Sequence, residues 1–215
     1  MGGILRKRGP RGLSRASRYF ARLVAVSLAL AFLGCHNVPP LDTTPLDNAG
    51  MTYDTVQQLK ALHVNAPEVT EIATARRAGF DDAACVETVR IFHGRSQKFD
   101  AGDAIAGLVQ AGMAEDTIIK LAQLNQLGLM AGELQAMRLA GLSDEIILEV
   151  AQHHAAGQPV LGGVSLATLQ NAGMRESTLL ELVRHGVPDS QADAILALRR
   201  HGANDREILK HFAGS

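Results

Sequence analysis

The chain of 215 residues is 47% hydrophobic with no tryptophan and two cysteines, so Leu, Ile, Val, Met and Ala must pack any core it forms. Its near-neutral charge hides an asymmetry: residues 1–34 hold seven of the 21 basic residues and none of the 22 acidic ones, leaving residues 35–215 with 14 against 22, a net −8. A region this acidic excludes binding to nucleic acid or anionic lipid by counterion release, which needs clustered Lys and Arg.

In chain order, Arg6, Lys7, Arg8, Arg11, Arg15, Arg18 and Arg22 precede an apolar run from Leu23 to Gly34. A basic stretch before a short apolar core reads as a secretory signal. Those 12 residues, as a helix, rise about 18 Å against roughly 30 Å of bilayer hydrocarbon, too little for a permanent span. The run ends in Phe32-Leu33-Gly34-Cys35, which resembles the lipobox of bacterial lipoproteins. Phe32 and Leu33 depart from the family's preference for Leu and a small residue at those two places. The resemblance implies that 1–34 is a signal peptide, that the Cys35 thiol takes a diacylglycerol, and that Cys35 becomes the N-terminus, a palmitate-bearing membrane anchor. His36, where an Asp would retain the protein in the inner membrane, implies the outer membrane with the protein facing the periplasm.

Residues 35–52 are rich in Pro, Thr and Asp and lack helical periodicity, so they read as the lipidated N-terminus and a flexible tether. From 53 to 215 one phrase recurs: an apolar helix, Ala-Gly or His-Gly, an apolar residue, a short polar cluster, and another helix. Its glycines are Gly79, Gly112, Gly141, Gly173 and Gly202, spaced 33, 29, 32 and 29 residues apart. A glycine just after a helix takes the left-handed conformation that closes the last carbonyls, and the next apolar residue packs back on that helix. Asp, Ser or Asn then caps the following helix, with nearby acids facing its positive end. Looser breaks lie half a period away at Gly94, Gly128, Gly157 and Gly186, so each unit is two helices. Apolar positions such as Ile146, Ile147 and Val150, or Leu179, Leu182 and Val183, fit a 3.6 period.

Units this short bury their apolar faces only by stacking on neighbours. The expected fold is therefore all-α: tandem helix pairs of about 30 residues in a superhelical or compact array. The pattern resembles a tandem helical motif of bacterial envelope proteins, carried by Phe99-Asp100-Ala101-Gly102-Asp103 leading into Ala111-Gly112-Met113. That resemblance implies no particular reaction.

Candidate chemistry is sparse. Cys85, in Ala83-Ala84-Cys85-Val86, reads as a small buried hydrophobe, and with Cys35 lipidated it has no disulfide partner. Glu149, His153 and His154 share a helix but lack the third and fourth ligands a metal needs, so no metal or other cofactor is expected. His93, His185 and His201 each precede a glycine or stand at a helix end, where an imidazole can cap terminal carbonyls. The stretch 157–165, with Gly162-Gly163, reads as a connection or a binding loop. There is no nucleophile elbow or phosphate loop. A helix-hairpin-helix hold on DNA needs Gly-x-Gly, whereas Asp81, Ala114, Ser143, Arg175 and Asn204 occupy the second position after each repeat glycine. The expected role is a non-enzymatic, lipid-tethered repeat that binds a protein partner, as a scaffold of the envelope. The alternative is an envelope enzyme or accessory subunit whose site is assembled from distant repeats.

Overall fold

The left-handed turn sets the architecture. In the computed structural model, which describes residues 40–214, Gly79, Gly112, Gly141, Gly173 and Gly202 all have φ between +79° and +106°. Each closes a helix with two backbone bonds: the N–H of Gly141 donates to the Arg138 carbonyl and that of Leu142 to the Met137 carbonyl, at 3.0 and 3.1 Å. The residue after the glycine then folds back into the core, as Phe80, Met113, Leu142 and Met174 do. Gly50, at φ +77° with Met51 buried behind it, is a sixth copy.

The described residues form twelve α-helices and no strand. They are α1 (Thr44–Asn48), α2 (Tyr53–Ala61), α3 (Ala66–Arg77), α4 (Asp82–Gly94), α5 (Gly102–Gln110) and α6 (Glu115–Gln123). There follow α7 (Leu127–Leu139), α8 (Asp144–Ala155), α9 (Gly163–Asn171), α10 (Glu176–Arg184), α11 (Ala192–Arg200) and α12 (Asp205–Phe212), with a 3-10 turn at Asp189–Gln191. Each helix packs on its sequence neighbour and on the helix two further along. Odd-numbered helices thus line one layer and even-numbered ones the other, around one continuous aliphatic core. The all-α array of short helix pairs is as the sequence implies.

Two expectations need correction. The tether expected over 35–52 does not extend that far: α1 is a helical turn with Pro45 near its start, and Leu46 is fully buried against the core. Proline and aspartate suit a helix's first turn as well as a loop. Gly94 and Gly128 are not turn glycines, since both lie within helices; the left-handed residues at those connections are Ser96 and Asn125. His63 does the same between α2 and α3.

With Gly50 included, the glycine spacings alternate 29, 33, 29, 32 and 29. A longer period of four helices is thus superimposed on the helix pairs, in copies α1–α4, α5–α8 and α9–α12. Leu46-Asp47-Asn48-Ala49-Gly50-Met51 matches Leu108-Val109-Gln110-Ala111-Gly112-Met113 and Leu169-Gln170-Asn171-Ala172-Gly173-Met174. Later in each copy stand Arg76 with Asp82, Arg138 with Asp144 and Arg199 with Asp205, paired at 2.7, 3.6 and 2.9 Å.

Candidate functional site

Asp81 caps its own helix through the Ala83 N–H, but the acids that open the even helices face the neighbouring pair. The first residue of each even helix from α4 onward is acidic, and each reaches back about 30 residues to the capping backbone N–H of the previous even helix. Thr52 N–H donates to Asp82 (2.9 Å), Asp81 N–H to Glu115 (2.8 Å), Ala114 N–H to Asp144 (3.0 Å), Ser143 N–H to Glu176 (3.0 Å) and Arg175 N–H to Asp205 (3.2 Å). In the last pair Asn204 N–H is met by its own Glu207 instead. Burial works against the Asp82 charge, but bonds from the Thr52 N–H and hydroxyl, and the Arg76 guanidinium, hold its carboxyl below the usual range. The odd layer has its own clasps: Glu71 accepts from Gly102 N–H at 2.8 Å and Glu133 from Gly163 N–H at 2.6 Å. Each of these carboxylates ties two helix pairs together through one oxygen.

Glu68 is the buried carboxylate of the array, 2% exposed. It accepts from the Asn65 N–H (2.8 Å), the Phe99 N–H (2.9 Å) and the His93 ring (2.8 Å). Burial opposes its charge, yet these donors outweigh it and hold the carboxyl below the ordinary glutamate range. With every oxygen engaged, it is placed as a tie and not as a base.

The histidine rings do not cap their own helices. His93 Nδ1 meets the carbonyl of Leu62 at 3.1 Å, closing α2 instead of α4. His185 lies 3.8 Å from Glu181, one turn back, and His201 ends its helix as the capping residue through its backbone N–H. Glu149 and His153 stand 3.9 Å apart, whereas His154 turns to Gln126 at 2.9 Å. Among the described residues no group of three or more ligands could hold a metal. Cys85 is buried beside the Phe80 carbonyl, and burial pushes its thiol up to about 12; it is inert at neutral pH. Gly162 and Gly163 start α9, and a Cβ on Gly163 would lie 2.5 Å from Met137 Cγ, so the 157–165 stretch brings α9 down onto α7. Cys35 lies outside the described residues.

What remains is surface. On α7 the exposed positions are Gly128, Leu129, Gly132, Ala136 and Leu139, with no charge among them. Leu129 and Leu139 are 73% and 68% exposed, and Val164, at the start of α9, is 78% exposed. A groove of about 370 Å³ opens at the N-terminal end of this face, lined by Phe92, Lys98, Asp100, Asn125, Leu127 and Leu129. Sequence reasoning missed this face, although the charged and amide residues of Leu127–Leu139, Glu133, Gln135 and Arg138, leave a stripe of Gly, Ala and Leu on the side away from the core. No protein-family model matches the chain, and no curated protein matches it significantly.

Proposed function

We propose that the chain is a lipid-anchored, non-enzymatic helical-repeat protein that docks a protein partner at the periplasmic face of the cell envelope, most simply on the outer membrane. The observation that carries the docking role is the uncharged, exposed face of α7 in an acidic array. Contiguous exposed apolar surface marks interaction sites in monomeric domains. In support of a non-enzymatic role, the acids are bound up in clasps and the free thiol is buried.

Crosslinking in intact membranes tests the docking. Leu129→Asp and Leu139→Lys suit the two ends of α7 electrostatically, so the fold should survive them. The wild-type chain should give a reproducible crosslinked partner that the double variant loses; equal capture by both would sink the docking face. Labelled-palmitate incorporation, lost on Cys35→Ser, tests the anchor.

A further inference from the structure

The strap between anchor and array is short. Thr44 already belongs to α1, so only residues 36–43 separate Cys35 from the first described helix. Eight or so extended residues reach at most about 30 Å. Since α1 has five residues and a four-residue turn follows it, α2 begins within roughly 20 Å of Thr44.

At the start of α2 stands Tyr53, where the five later even helices have Asp82, Glu115, Asp144, Glu176 and Asp205. Those acids clasp the preceding pair. Tyr53 clasps nothing among the described residues and is 75% exposed. A phenol, apolar in the ring and polar at the tip, settles at the headgroup level of a bilayer. The same end carries Asp42, Asp47 and Asp54 against Lys60, with His63 beside them, so an anionic lipid surface would repel it.

We propose that the first helix pair, α1–α2, rests on a zwitterionic phospholipid surface with Tyr53 in the headgroup layer, held there by the strap 36–43. This rests on the Cys35 anchor. Among the described residues the substantial helix packing is all between nearest and next-nearest neighbours. Five pair-to-pair steps of about 8–10 Å therefore carry α12 away from the surface, and the α7 face stands between.

Tyr19 and Tyr53 are the two tyrosines and there is no tryptophan, so after signal removal Tyr53 is the sole emitter. The lipidated protein is bound to phosphatidylcholine vesicles carrying a nitroxide on the headgroup. Tyr53 should lose most of its emission, while the Tyr53→Phe/Phe212→Tyr variant should keep nearly all of it. Inserting a spacer of about 20 Gly and Ser residues after Pro40 should restore Tyr53 emission, and adding anionic lipid should weaken the quenching. Equal quenching of the two emitters, no quenching of Tyr53, or quenching that survives the spacer would each overturn the proposal in protein that co-sediments with the vesicles. Failure to co-sediment would overturn the anchor itself, and this inference with it.

Discussion

At Glu68 three donors, two of them backbone N–H groups, converge on one buried carboxylate. Replacing it by Gln puts an amide NH₂ where one oxygen now accepts from a backbone N–H, that of Asn65 or of Phe99, which can only donate. Glu68→Gln should therefore lower stability by about 2–3 kcal/mol at neutral pH, measured by urea unfolding. The sign of the pH dependence follows from the lowered folded-state value. The charged Glu68 stabilises the fold above the ordinary glutamate range, and that contribution is lost as pH falls through and below it. The gap between wild type and Glu68→Gln should accordingly close on acidification; a gap that stays constant would assign the loss to packing. Cys85 behaves oppositely. Its thiol, raised to about 12 by burial, should resist a thiol reagent at pH 8 until the chain is unfolded, and prompt labelling of native protein would contradict the packing around it.

Helix ends show how the same residue type has opposite effects in different backbone settings. Gly94 and Gly128 lie in helices with open space where a Cβ would go. Gly94→Ala and Gly128→Ala should each raise stability by about 0.5–1 kcal/mol. Gly141 also has open space but φ +88°, so Gly141→Ala should lower it by about 1–2 kcal/mol. Gly102→Ala should lose more than Gly141→Ala, because its Cβ would lie 2.2 Å from the Glu71 carbonyl oxygen. Thermal melts of the four variants order these effects, and destabilisation by Gly94→Ala or Gly128→Ala would place a turn there after all. The strong turns were legible in the sequence because an Ala-Gly-apolar phrase encodes its geometry locally. The weak ones were harder to see: Asn125 and His63 belong to types that take positive φ more readily than most but do so far less regularly than glycine, and Ser96 gives no such signal. Helix α1 was hidden because five residues show too little periodicity, though Ala49-Gly50-Met51 repeats Ala111-Gly112-Met113 letter for letter. The clasps escaped for a different reason: an acid at a helix's first turn satisfies its own dipole equally well, and its real partner lies about 30 residues away.

Across the described array, stability is a sum over neighbouring pairs, because the substantial packing of each helix is on its nearest and next-nearest fellows. The middle copy, α5–α8, is buttressed on both sides, whereas the outer copies are each supported on one. Native-state hydrogen exchange should therefore be slowest in α5–α8 and fastest in α1 and α12, with no single global rate. Asp144 ties the third pair to the fourth through Ala114 N–H and the Thr117 hydroxyl, at 3.0 and 2.9 Å. Asp144→Ala leaves two donors unmet and frees Arg138, whose guanidinium also binds the Gly112 carbonyl across the same junction. A loss of about 2–3 kcal/mol is expected there. In a chain whose cohesion passes from pair to pair, the loss should show as faster exchange in α5–α8, centred on that junction, while amides of α1 and α12 keep their rates. Uniform acceleration along the chain would mean that the six pairs unfold as one unit, and the nearest-neighbour account of the array would fail.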